Sequence, residues 1–371
     1  MHRQFHRTIN IPHSSSIVYH FGGFMKALVF HKHGSLEQVS YENMPMPEVK
    51  PDEVLVEMKA AALNRLDLWV LAGWPGLRLK MPHIMGSDGA GTIKEVGANV
   101  KGFAVGDRVA INPTKSCGTC SFCLNGQDNL CQHFAIMGEH VDGLYAEYAA
   151  VPARNLLKMP ESASFEVAAA ASLVYVTAWH SLIKRGKLQA GESVLIIGAG
   201  GGVNTAAIQI ARFAGASTIY VVGSSEEKLA RARELGADVT INRHKENWGK
   251  AVFKATHRQG VDMVIDNVGA ATFTDSIRSL KKGGRLLTVG NTSGATFAID
   301  NRLLFAKHIS LIGSSMGTIQ DYAEVMSLVF NGRLHPTIDT IYPLDDGLTA
   351  LQRLQDGDVK GKLLLKITKD A

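Results

Sequence analysis

Short aliphatic runs, each followed by a glycine or a segment of helical period, dominate the second half of this 371-residue chain. Val194 to Ile197 is apolar without alternation, as a strand buried on both faces requires. Gly198, Gly200, Gly201 and Gly202 follow, and then Val203, Ala206, Ala207, Ile210 and Phe213 recur at helical spacing. Strand, glycine turn and helix in this order bring backbone close to a pyrophosphate and aim the helix N-terminus at it. Val203 stands at the third glycine of the strict G-x-G-x-x-G pattern, so the turn alone does not decide the matter. Its surroundings do. Thr218–Val222, Asp238–Ile241, Asp262–Asp266, Arg285–Val289 and Ile309–Gly313 read as further strands. Between them lie a helix opened by Ser224-Ser225-Glu226-Glu227, one near Trp248–His257, and one ending at Gly283-Gly284. The alternation predicts an α/β fold, a doubly wound parallel sheet that binds a dinucleotide, over residues 160–314. Gly201, Gly202 and Val203 are its expected pyrophosphate contacts.

Residues 25–159 have a different texture. Lys26–Phe30, Glu53–Glu57, Gly89–Val96, Gly106–Ala110 and Tyr145–Pro152 are short strands separated by turns, the pattern of a small irregular barrel. An apolar helix over Ala168–Ile183 is expected to bridge barrel and nucleotide domain. Residues 315–371 return to helices at Tyr322–Phe330 and Asp345–Gln355 and to a last strand, Lys362–Ile367, expected to pack back on the barrel. Residues 1–24, with four histidines and no helical or strand period, read as a disordered or non-native leader ahead of Met25. With 46% apolar and 20% charged residues and a net charge of +5 without a lysine or arginine run, the chain shows no nucleic-acid footprint. No run of 18 apolar residues suggests a membrane span. A cytoplasmic protein with a small-molecule substrate is the expectation.

All four cysteines fall in one loop: Cys117, Cys120, Cys123 and Cys131. Four thiolates this close suit a tetrahedral zinc, and with every position filled that zinc is structural. Two disulfides or free thiols are the other readings, and disulfides need an oxidising compartment.

These features together resemble the medium-chain dehydrogenase/reductases, the superfamily of zinc alcohol dehydrogenases and quinone oxidoreductases. The resemblance spans residues 25–368. It rests on Pro82-His-Ile-Met-Gly86 through Gly106-Asp-Arg-Val109, the cysteine loop, Gly201-Gly-Val203, Asp266-Asn-Val-Gly269 and Gly361-Lys-Leu-Leu364. It implies a GroES-like barrel, a Rossmann domain, a structural zinc lobe and a homodimer. It also exposes a departure. The catalytic-zinc ligands of alcohol dehydrogenases fall here at Asn64, Ser87 and about Leu173, and the glutamate that follows the histidine ligand is Asp88. No thiolate or imidazole remains at those positions. An improvised oxygen-rich site from Asp67, His83 and Asp88 is the weaker alternative.

Without that metal, the expected reaction is hydride transfer from NADPH to a quinone or an α,β-unsaturated carbonyl, whose conjugation spreads the arriving charge. Hydrogen-bond donors must then meet the developing oxyanion. Asn64 is the first candidate, followed by Ser87, Asp88 (or Asp88 as a partner of Arg65) and Tyr175, if it faces the cleft. Trp69 and Trp74 are candidate walls for a flat substrate. An NAD site usually ends its second strand with an acidic residue; here Gly223 stands there, followed by Ser224 and Ser225. The resemblance places Lys228 and Arg243 on a 2′-phosphate, against which Glu226 and Glu227 count. It places Asn267, Gly290, Asn291, Ser314 and Met316 at the nicotinamide end. Alcohol oxidation and non-catalytic NADPH binding are the alternatives.

Overall fold

The computed structural model describes residues 23–367; most of the proposed leader lies outside them. Among the described residues, six parallel strands form the nucleotide sheet, in the order Val239–Asn242, Thr218–Gly223, Ser193–Ile197, Val261–Asp266, Leu280–Thr288, Ser310–Gly313. The order reverses direction between Ser193–Ile197 and Val261–Asp266, so the glycine turn opens at a topological switch point, where such sheets bind ligands. Val194, Leu195, Ile196 and Ile197 are at most 2% exposed, so truncating any of the larger ones would cost about 2–5 kcal/mol.

The barrel sheet runs Leu156–Lys158, Arg108–Ile111, Asp88–Val96, Glu53–Ala62, Lys362–Lys366, Ile338–Pro343, with Tyr148–Pro152 also on Glu53–Ala62. Lys362–Lys366 inserts beside Glu53–Ala62, pairing Leu364 with Ala62 and Lys366 with Ala60. The return of the chain to the barrel is thus a shared sheet.

Both sheets pack on one helix, Phe165–Trp179, continued by a π-helical turn His180–Arg185. Ser164 caps it by accepting from Val167 N–H at 3.2 Å. Ala168–Ala171 let it approach the small residues Ala60, Ala62 and Ala90 of the barrel, while Val174 and Val176 share the same core with Ile196 and Ile208 of the nucleotide domain. By length and composition Phe165–Arg185 could cross a membrane, but 78% of its most apolar window is buried within the fold. A helix apolar all round is a core helix here.

One local expectation fails. The helix before the fifth strand ends at Arg278, not at Gly283-Gly284. Those glycines sit in an excursion of the strand Leu280–Thr288, where its pairing register shifts against Val261 and Met263. Gly283 takes φ +74°, which a glycine tolerates, so the glycine pair serves a turn within the strand and not a helix stop.

Candidate functional site

A cleft of about 1150 Å³ separates barrel from nucleotide domain. Its nucleotide side begins at the glycine turn. Gly198 adopts φ +112°, and a Cβ there would lie 2.2 Å from the Asn204 amide nitrogen. Asn204 is buried; its amide donates to Ile197 C=O at 3.2 Å, and its Oδ1 accepts from Asn267 Nδ2 at 3.0 Å. It therefore fastens the turn to the end of the neighbouring strand. Gly201, Gly202, Val203, Ser224, Lys228, Arg243, Asn267, Gly290, Asn291 and Met316 all line the cleft. Ser225 instead caps the helix Glu226–Glu234, accepting from Lys228 N–H. Ser314 bonds Ser181, at 2.9 Å between hydroxyl oxygens, and its neighbour Ser315 faces the cleft.

The second strand ends without room for an acid: a Cβ on Gly223 would lie 2.6 Å from Leu229 and 2.9 Å from Ala199. Glu226 turns to Asn242 at 2.7 Å and Lys245 at 3.0 Å, and Glu227 to Lys360 at 2.5 Å. Neither glutamate lines the cleft. Arg243 is exposed there. Lys228 lies across the glycine turn and donates to Gly357 C=O at 2.9 Å.

On the barrel side, the position of the alcohol-dehydrogenase metal ligands holds a closed polar knot. Lys362 Nζ donates to Asn64 Oδ1 at 2.5 Å and to Asp88 Oδ2 at 2.9 Å. Asn64 Nδ2 donates to Asp88 Oδ2 at 2.8 Å and, more weakly, to Ala62 C=O at 3.4 Å. Asp88 Oδ1 accepts from Leu173 N–H at 2.7 Å. Asp88 is 0% and Lys362 4% exposed, so the ammonium supplies inside the protein the charge that balances the carboxylate. Lys362, which the sequence marks only as part of the last strand, is the cation of the site, and Asp88 pairs with it, not with Arg65, which lines the cleft exposed.

Asp67 lies beneath the knot. It accepts from Asn64 N–H at 2.8 Å and Tyr145 O–H at 2.6 Å, capping the helix Arg65–Ala72. Burial pushes its carboxyl up to about 6 despite those donors. His83 is held apart, 3.2 Å from Gly138 C=O. Asp67, His83 and Asp88 therefore do not converge on a metal, and the knot offers an ammonium where a cation would bind. Ser87 is fully buried, its hydroxyl without a partner among the described residues, and does not line the cleft. The expectation that Tyr175 faces the cleft is corrected: Tyr175 is 1% exposed, its hydroxyl accepts from Gln209 at 2.9 Å, and burial raises its pKa. Trp69 and Trp74 line the same cleft, with Leu66, Phe134, Glu139 and His140.

The spacing of the four sulfurs separates a zinc site from disulfides. Sulfurs bound about 2.3 Å from a tetrahedral zinc lie roughly 3.8 Å apart. Cys117–Cys123, Cys120–Cys123 and Cys120–Cys131 are separated by 3.9, 3.6 and 3.9 Å, and all four ligand atoms lie within 4.8 Å of one another. Disulfide sulfurs would be about 2.05 Å apart. Backbone N–H groups of Thr119 and Cys120 aim at Cys117 Sγ and hold its thiol down to about 5. The residues fit one zinc. The lobe docks on the bridging helix through Asn129, 3.2 Å from His180 Nε2, while His180 Nδ1 meets Asp321 at 2.7 Å.

Comparison with known proteins agrees with this architecture. Residues 50–161 match the alcohol dehydrogenase GroES-like domain and residues 202–331 the zinc-binding dehydrogenase family. The NAD-dependent alcohol dehydrogenase of Sulfolobus acidocaldarius is 35% identical over 93% of this chain and 100% of its own length. The acryloyl-coenzyme A reductase of Sulfurisphaera tokodaii is 32% identical over 92% of this chain and 100% of its own length. A crystal structure of an NAD-dependent alcohol dehydrogenase superposes with a TM-score of 0.89 at 40% identity, covering 93% of this chain and 100% of that one. The chain belongs to the medium-chain dehydrogenase/reductase superfamily and is an oxidoreductase that uses a nicotinamide cofactor.

Proposed function

We propose that the protein transfers hydride from NADPH to the β-carbon of an α,β-unsaturated carbonyl compound or to a quinone, without a metal in the cleft. The observation that carries this is the Lys362–Asn64–Asp88 knot, which fills the place of the catalytic metal with an ammonium already committed to two oxygens. Oxidising an isolated alcohol requires removal of a proton from a very weak acid, the task a Lewis-acidic metal performs. A conjugated acceptor spreads the incoming charge onto its carbonyl oxygen, and hydrogen bonds suffice for that. The name of the acryloyl-coenzyme A reductase relative supports a conjugated thioester among the acceptors. Alcohol oxidation is the second reading, favoured by the name of the Sulfolobus relative.

The bound cofactor supplies the hydride. Gly201, Gly202 and Val203 would receive its pyrophosphate, and Asn267, Gly290, Asn291 and Met316 its nicotinamide end. Preference for NADPH is supported by the crowded Gly223, the outward-turned Glu226 and Glu227, and the exposed Arg243. Homodimerisation along the exposed strand Ser310–Gly313 and residence in the cytoplasm, where thiolates stay reduced, belong to the same reading.

Steady-state assays of nicotinamide absorbance decide the reaction. Turnover of an enone, an enoyl thioester or a quinone with NADPH, and little turnover of primary or secondary alcohols with NADP⁺ at any added zinc, is the expected result. Robust alcohol oxidation that survives a chelator would leave the fold standing and overturn this mechanism.

A further inference from the structure

The proposed reduction needs a donor at the acceptor's carbonyl oxygen, and Asn64 is poorly placed to be that donor. Both of its amide N–H groups are directed elsewhere, to Asp88 at 2.8 Å and Ala62 C=O at 3.4 Å. Both Asp88 oxygens already accept, from Lys362, Asn64 and the Leu173 N–H, and Asp88 does not line the cleft. Ser87 and Tyr175 are outside the cleft.

His140 is differently situated. It lines the cleft together with Phe134, Ile136, Glu139 and Trp69. The Ile136 N–H donates to His140 Nδ1 at 3.1 Å. A donor aimed at Nδ1 requires a lone pair there, so the ring carries its proton on Nε2. The His140 backbone N–H in turn donates to Ile136 C=O at 2.9 Å, which closes the turn that carries the ring. Nε2 is 3.7 Å from the nearest Glu139 carboxylate oxygen, beyond the 2.7–3.2 Å range of an N–H···O bond. The Nε2–H is thus fixed in direction and uncommitted among the described residues. Burial raises the Glu139 pKa, and the neighbouring His140 opposes that shift.

We infer that His140 is a catalytic residue whose Nε2–H hydrogen-bonds the carbonyl oxygen of a conjugated acceptor as hydride arrives. This rests on the reading of the reaction given above. Hydride leaves C4 of the reduced nicotinamide with its electron pair and bonds to the β-carbon. The alkene π pair moves to form the enolate, whose oxygen accepts the Nε2–H bond. Water then gives a proton to the α-carbon, leaving hydroxide, and the oxidised cofactor departs. His140 donates a hydrogen bond throughout and transfers no proton. The Ile136 N–H serves this role by occupying Nδ1 and so orienting the opposite edge of the ring.

Two measurements test it on the full chain. Long-range proton–nitrogen NMR of isotope-labelled imidazole rings, with His140 assigned by difference from His140→Gln, should show the Nε2–H tautomer. An Nδ1–H tautomer would overturn the inference whatever the kinetics. In enone or enoyl-thioester assays, His140→Phe should lower kcat and kcat/KM together by about 10²–10³-fold, as loss of one oxyanion donor does. His140→Gln, which keeps a terminal N–H, should recover part of that loss. The NADPH dissociation constant should stay within about twofold in both variants. Wild-type turnover with undiminished His140→Phe activity refutes the role of His140 alone. Absence of conjugated-acceptor turnover in the wild-type protein refutes the reaction and the inference together.

Discussion

Replacing Lys362 by Met removes the charge of the polar knot and keeps the length of the side chain. The stem packs against the glycine turn, where a Cβ on Gly202 would lie 3.0 Å from Lys362 Cδ, and methionine can maintain that contact. Asp88 would remain 0% exposed, with the Leu173 and Asn64 N–H groups as donors and no cation. Stripping one partner from a buried ion pair costs about 3–5 kcal/mol, whereas removing both charges is often close to neutral. Urea denaturation followed by tryptophan fluorescence should therefore show Lys362→Met destabilised by about 3–5 kcal/mol. Lys362→Met with Asp88→Asn should recover most of it, because asparagine oxygen still accepts from Leu173 N–H. A single variant within about 1 kcal/mol of wild type, or a double variant no more stable than the single, would refute the argument that the ammonium compensates the carboxylate.

Asp67 makes a pH prediction. Its folded pKa of about 6 exceeds the unfolded value, so the folded state binds more protons between roughly pH 4 and 6. Its contribution to stability is therefore greatest at low pH and is lost as pH rises through that window; the wild-type minus Asp67→Asn difference in unfolding free energy should fall by about 3 kcal/mol across it. Elemental analysis should find one zinc per chain, and Cys120→Ala should abolish it and lower thermal stability; two zincs, with the second needed for activity, would contradict the knot. Arg243→Ala should weaken NADPH by about tenfold or more and leave NADH unchanged in fluorescence titrations, since a charge-assisted bond contributes about 1.5–3 kcal/mol; equal losses would count against a 2′-phosphate contact.

What could be read from sequence followed from how local the signal was. Parallel strands buried on both faces are continuous apolar runs, so Val194–Ile197 and its neighbours stood out, and the zinc lobe keeps all its ligands between Cys117 and Cys131. The knot has no such locality: Lys362 lies 298 residues from Asn64 and 274 from Asp88. Only the sheet pairing of Leu364 with Ala62 brings them together. His140 sits in a turn without period, and its tautomer depends on a backbone N–H that spacing does not reveal. Tyr175 was misplaced for the opposite reason: on a helix buried on every side, helical period does not say which face meets a cleft.

The insertion of Lys362–Lys366 beside Glu53–Ala62 also orders events during synthesis on the ribosome. The strands of the nucleotide sheet, from Ser193 to Gly313, are contiguous in sequence and can pair while the chain is still growing. The barrel cannot follow that schedule, although most of it is made earlier. Until residue 362 has emerged, Ala60 and Ala62 lack the second of their two partner strands and Asp88 lacks its cation. A nascent chain interrupted before that point would hold a nearly complete nucleotide domain beside an open barrel edge, an adhesive surface for other chains. Completion of the cleft thus waits for Lys362, and dependence on chaperones should concentrate on the barrel.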